Sequence, residues 1–213
     1  MSLRFGFLVA LLVAVASATA VGSVWAQVLL NEMMADPLFD WDRSGVYSSR
    51  DDEWVEIINA GATPVALEGY RLAGADTTWR YGFTGVLNPG QVRLVFGGES
   101  YQWEQANGAP LYGLRLNNTG GTLLLMRTTE GAPVLVDSYT YLDLEAEDDR
   151  SSGRAPDGGP NWRLFDGMNP FTGSGLPAST GCAPSPGARL DCPTAASITS
   201  WGVIKSRFLG DPR

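Results

Sequence analysis

Glu53-Trp54-Val55-Glu56-Ile57-Ile58-Asn59-Ala60-Gly61-Ala62-Thr63-Pro64-Val65-Ala66-Leu67-Glu68-Gly69-Tyr70-Arg71-Leu72 decides the fold class. Residues 54–58 are rich in β-branched and aromatic side chains. Asn59-Ala60-Gly61 interrupts them and Pro64 follows. Val65-x-Leu67 and Tyr70-x-Leu72 then resume with an apolar residue at every second position. Two short strands joined by a turn fit this pattern. The alternation predicts one buried and one wet face, as in an antiparallel sheet.

The same signals continue on both sides. Val28-Leu29-Leu30-Asn31-Glu32 reads as a first strand, separated from the next by a polar, acidic connection over 36–52. Residues 79–83 alternate aromatic and other side chains, Leu87-Asn88-Pro89-Gly90 is a turn, and residues 92–96 form the next strand. Residues 99–113 look irregular. Leu114-Arg115-Leu116 and residues 123–126 suggest a hairpin around a five-residue turn, and 134–141 is the last clear strand. About seven or eight strands at roughly ten-residue spacing, without a helical period, predict an all-β antiparallel sandwich. Beyond Leu142, Gly, Pro and Ser dominate. That stretch is expected to wrap the sandwich, docking through Trp162, Leu164, Phe165 and Phe171.

The ends differ from the middle. Arg4, the short apolar run over 5–16 and the small residues up to Ala26 predict a signal peptide over 1–26, cleaved before Gln27, with Ala18-Thr19-Ala20 as a second cleavage choice. An uncleaved anchor is the alternative reading. The expected chain is therefore secreted, extracellular or periplasmic, and not membrane-spanning after cleavage. Its sandwich is expected over 27–192, and a C-terminal tail over 193–213 is read as a short amphipathic helix or a frayed end. With 15 basic against 23 acidic residues the net charge is −8, which argues against a nucleic-acid partner. Cys182 and Cys192 are the two cysteines. In an exported chain they are expected to form one disulfide, since neither a second pair nor a histidine is present to complete a zinc site.

Several of these pieces, in this order, resemble the lamin-tail domain family as found in exported bacterial proteins. They are Asn31-Glu32, Asp36-Pro37, Glu53-Trp54-Val55-Glu56-Ile57-x-Asn59, Pro64-Val65-x-Leu67-x-Gly69-Tyr70-x-Leu72, Leu87-x-Pro89-Gly90, Asp137-Ser138-x-x-Tyr141, Ser152-Gly153-Arg154, Asp157-Gly158 and Trp162. The family's closing Thr/Ser-Pro-Gly fits Ser185-Pro186-Gly187, which implies an insertion around 166–183. The resemblance implies an immunoglobulin-like β-sandwich acting as a binding and interaction module rather than a catalyst, with a protein or cell-surface partner.

Histidine is absent, which removes Ser-His-Asp and Cys-His catalysis and the His-dependent metal sites. A carboxylate-dependent hydrolase of extracellular polymers is the alternative function. The sharpest site candidate is a Ca2+ loop. Asp40-x-Asp42-x-Ser44-Gly45 matches positions 1, 3, 5 and 6 of a calcium-binding loop, with the Val46 carbonyl at position 7 and Asp51 at position 12. Asp36, Asp52 and Glu53 are auxiliary candidates, and an acidic surface loop without a ligand is the alternative. Trp54, Trp79, Tyr81, Phe83 and Phe96 are expected mostly in the core. Trp41, Tyr47, Tyr101, Trp103 and Tyr112 fall in expected loops.

Overall fold

The structure, a computed structural model, describes residues 27–190. The predicted signal peptide, Cys192 and the predicted tail lie outside the described residues. In chain order the strands are β1 (Val28–Met34), β2 (Trp54–Asn59), β3 (Val65–Ala66), β4 (Tyr70–Gly74), β5 (Trp79–Gly82), β6 (Val86–Leu87), β7 (Val92–Phe96), β8 (Gly120–Arg127), β9 (Val134–Leu142), β10 (Ser151–Arg154) and β11 (Trp162–Phe165). Helix α1 (Gly97–Asn107) lies between β7 and β8. One antiparallel sheet has the order β11-β10-β1-β2-β7, the other β5-β4-β8-β9, and β3 pairs with β6. Val28, Leu30, Val55, Ile57 and Val95 from the first sheet share one core with Tyr70, Leu72, Leu123, Leu125 and Tyr141 from the second. The architecture is an immunoglobulin-like sandwich, and residues 53–72 carry the chain from one sheet to the other.

A bulge at Asn31 sets the phase of β1. Leu30 pairs with Ile57 and Glu32 with Glu56, so Asn31 is the extra residue. Val28 and Leu30 before it, and Met33 after it, therefore enter the core, while Glu32 turns to the outer face. The expected wet face of β2 does not exist, because all six of its residues are buried. Its outer face is covered by loop 36–52 and by the closing segment of the chain.

Three further expectations are corrected. Residues 97–107 are helical, not irregular. The residues that α1 buries are Gly97, Ser100 and Glu104, so its three-to-four spacing is carried by small and polar side chains and no apolar stripe marks it. Gly108, left-handed at φ 65, ends it, and that glycine followed by Pro110 was the legible signal. Residues 114–116 are not half of a hairpin. Leu114 and Leu116 plug the core, but Arg115 is left-handed at φ 53, and Leu116 N donates to the Glu53 carboxylate rather than to a strand (3.1 Å). The stretch after Leu142 contributes two strands, β10 and β11, which complete the five-stranded sheet. β10 reads Ser-Ser-Gly-Arg because hydrogen bonds, not apolar side chains, fill its faces. Gly153 must also be bare, since a Cβ there would lie 2.7 Å from the Phe165 ring and 2.9 Å from Glu32.

Gly97 is the most tightly enclosed glycine among the described residues. Its N–H donates to Glu53 O at 2.7 Å, and a Cβ would sit 1.8 Å from the Arg50 carbonyl oxygen. Because that neighbour is backbone, Gly97→Ala is expected to destabilise the protein by roughly 2–3 kcal/mol, and thermal unfolding should show a Tm lower by about 5–10 °C.

Candidate functional site

Loop 36–52 is organised by carboxylates that accept backbone N–H groups. Asp149 Oδ1 accepts from Leu38 N (2.8 Å) and from the Trp41 indole N–H (2.9 Å), which brings the Trp41 ring centre to 6.4 Å from that of Trp54. Asp52, fully buried, accepts from Asp42 N (3.0 Å) and Ser48 N (2.8 Å). Asp40 accepts from Ser44 N (2.9 Å) and Gly45 N (2.8 Å), and Asp42 also accepts from Ser44 N (2.8 Å). Gly45, at φ 90, permits the turn.

These bonds bring one oxygen each of Asp40, Asp42 and Asp52 within 4.8 Å of one another. Of the sequence-predicted calcium set, Asp40 and Asp42 therefore meet. Ser44 Oγ lies 3.5 Å from Asp40 and donates to the Val46 carbonyl at 3.1 Å. Asp51 is not in this group; it is ion-paired with Arg50 at 2.7 Å, and Asp52 holds the third place. The other auxiliaries are engaged elsewhere. Glu53 accepts from Leu116 N at 3.1 Å, and the Asp36 carboxylate bonds to the Asn118 side chain.

The outer face of the five-stranded sheet holds a second set of acids. Glu32 and Glu56 sit opposite each other on β1 and β2. Glu32 accepts from Ser151 Oγ (2.6 Å), Ser185 N (3.0 Å) and Ser185 Oγ (2.7 Å). Glu56 accepts from Asn31 Nδ2 (2.7 Å) and Gly187 N (2.8 Å). Asn31 Oδ1 accepts from Gly158 N (2.9 Å), and Asp157 accepts from Leu190 N (3.0 Å). The Ser185-Pro186-Gly187 segment is thus strapped across the sheet by β1 and β2. Asp166 holds the preceding insertion through Phe171 N, Ser179 Oγ and Gly181 N, each at 2.7–2.9 Å. Cys182, half-buried, accepts from Gly167 N at its carbonyl (2.7 Å). The strapping role of Glu32 and Glu56 was missed in the sequence. The available signal was an acid between Trp54 and Ile58 on one strand face.

Between loop and strap runs a groove of about 600 Å³, floored by Leu94 and Phe96 and walled by residues 39–43 and 184–188. Leu94 and Phe96 lie on β7, an edge strand. Asn59 N donates to Gln91 O and Gly97 N to Glu53 O, while Phe96 faces Trp54 and Val92 faces Ile58. Bonded and non-bonded pairs alternate in an antiparallel ladder. The N–H and C=O groups of Val92, Leu94 and Phe96 therefore point away from β2, and among the described residues no strand pairs with that edge.

Burial drives the carboxyls of this region upward in pKa. For Glu32, desolvation outweighs the donors from Ser151 and Ser185 and raises it to about 7. Glu56 rises to about 8 through desolvation, with the Glu32 charge adding and the Asn31 donor opposing. Glu53 rises to about 8 by desolvation against the backbone N–H groups of Leu116 and Arg115. An acid whose folded pKa exceeds its unfolded value binds more protons in the native state across the interval between the two. Stability is then fully present below about pH 4.5 and is lost as pH climbs through 7 to 8. Between pH 5 and pH 8.5 these groups are expected to remove a few kcal/mol, a Tm decrease of roughly 5–10 °C. Glu56→Gln, measured by the same thermal scans, should flatten that slope.

Comparison with known proteins adds the lineage. No curated protein matches the chain. Among the described residues, no helix is long and apolar enough to cross a membrane. The sequence model of the Lamin Tail Domain matches residues 23–143, more than half of the chain, ending just before β10 and β11. That match covers the bulged β1, the crossing from β2 to β4 and the β8–β9 pair, and with this sandwich around them the chain belongs to the Lamin Tail Domain family.

Proposed function

We propose that this protein is an exported, non-catalytic interaction module that captures an extended protein segment along the free edge of β7. The observation that carries the reading is the coincidence of an unpaired strand edge with a groove floored by the side chains of that same strand. An added strand would bond to the backbone of Val92, Leu94 and Phe96 and place alternate side chains in the groove. Asp40 and Asp42, set against Arg43 on the same wall of a chain with net charge −8, favour a segment that mixes apolar and basic residues. A hydrolase is disfavoured because Glu32 and Glu56, the opposed acids with raised pKa values, are spent on donors from the strap and nearly or fully buried.

Calcium at Asp40, Asp42 and Asp52 would stiffen the wall of this groove, since three hard oxygens already converge there. A disulfide between Cys182 and Cys192 would tether the far end of the strap, in keeping with export.

Two measurements test these readings. A library of extended peptides panned on the full chain should return alternating apolar and basic sequences, and binding should slow amide exchange at Val92, Leu94 and Phe96. Leu94→Asp should abolish capture while shifting Tm by no more than about 2–4 °C. Binders that leave those amides unprotected would sink the edge reading. For the metal, Asp40→Ala should lower Tm much more in millimolar calcium than in chelator, where only its bonds to Ser44 N and Gly45 N are lost; equal loss in both would reject calcium.

A further inference from the structure

Arg80 is 3 % exposed, yet its guanidinium is only partly satisfied. Nη2 donates to the Asp76 carboxylate at 3.0 and 3.3 Å, and the guanidinium lies 5.0 Å from the centre of the Tyr112 ring. Nε and Nη1 are buried and meet no acceptor among the described residues. Buried donors are nearly always paired, so an orphaned charged donor calls for an explanation in water or a bound acceptor.

A cavity of about 210 Å³ adjoins this group, lined by Arg80, Arg115 and Asp76 and by Leu114, Leu116 and Leu123. Arg115 is fixed there by its backbone. It is left-handed at φ 53 between two buried leucines, and its guanidinium lies 4.5 Å from the same Tyr112 ring. A non-glycine residue held at positive φ costs conformational energy and persists where its surroundings over-determine it. Two guanidinium groups thus share one phenol ring and one cavity, against the single carboxylate of Asp76.

We propose that this cavity binds a carboxylate carried on a short apolar stem, clamped by Arg80 and Arg115, with the stem against Leu114, Leu116 and Leu123. A planar carboxylate matches the fork of Arg115, and Arg80, whose Nη2 is held by Asp76, adds a single buried N–H from Nε or Nη1. The leucine lining favours a carboxylate that carries an apolar stem over inorganic phosphate. The volume equals about seven water molecules at roughly 30 Å³ each, which admits a few methylene groups and little more. The carboxylate comes either from a free short-chain acid or from the C-terminal residue of a peptide.

Calorimetric titration of the full chain tests this, with sodium butyrate, butyramide, inorganic phosphate, and a short leucine-ended peptide as free acid and as amide. Butyrate or the free-acid peptide should bind saturably, butyramide and the peptide amide should not, and Arg115→Gln should weaken binding by at least about tenfold. Tighter binding of butyrate assigns a free acid, and tighter binding of the peptide acid assigns a chain terminus. Arg80→Lys, kept only if its Tm shows a folded protein, should also bind weakly, because one ammonium does not replace separate nitrogens that serve Asp76 and the cavity. Phosphate binding as tightly as butyrate, equal affinity in Arg115→Gln, or no saturation by either acid up to about 10 mM would overturn the proposal.

Discussion

Two carboxyl groups at the centre of the five-stranded sheet, Glu32 and Glu56, hold the end of the described chain in place. Ser185 and Gly187 supply donors to them, and a segment so rich in proline and glycine has little apolar surface with which to grip the sheet by itself. The dependence runs both ways. A carboxyl taken out of water and left unbonded would be too costly to keep, so the acids need the strap as much as the strap needs them. Glu32 also binds Ser151, which ties the neighbouring strand into the same unit. The residues around Gly187, namely Pro184, Ser185, Pro186 and Ala188, then form one wall of the groove.

The raised pKa values of these acids look, taken alone, like those of a catalytic pair. Each carboxyl nevertheless has partners from neighbouring strands or from the strap. Perturbation here records burial within a structural network. The aspartates of loop 36–52 differ in kind. Their partners are nearby backbone N–H groups, and Asp40 and Asp42 stay partly open to solvent, which leaves lone pairs for a cation.

Where apolar residues carried the period, as in Val65-x-Leu67 and Tyr70-x-Leu72, the strands could be read from the sequence. Where polar residues did the packing, they could not. Ser100 and Glu104 bury one side of α1, and Ser151, Ser152 and Arg154 fill β10, so neither element shows an apolar rhythm. The meeting of Asp40 and Asp42 was legible because loop spacing is local. The substitution of Asp52 for Asp51 was not, because it depends on which of two adjacent carboxylates the strand start at Trp54 turns inward and which one Arg50 takes. The β7 edge is a property of sheet order and leaves no mark on the residues of the strand.

The position of β1 in its sheet has a temporal side. It pairs with β2, which follows closely in the chain, and with β10, which is joined to it through residues 151–153. A chain that emerges from its N-terminus can form the first pairing early. The other side of β1 then stays open until most of the domain has been made, since loop closure over such a separation is slow and long-range pairing sets the folding rate. During that interval Glu32 has neither Ser151 nor Ser185 to bond, and an open strand edge invites pairing with other chains. An acid in the middle of a waiting strand keeps that edge hydrated and discourages association until its proper partners arrive.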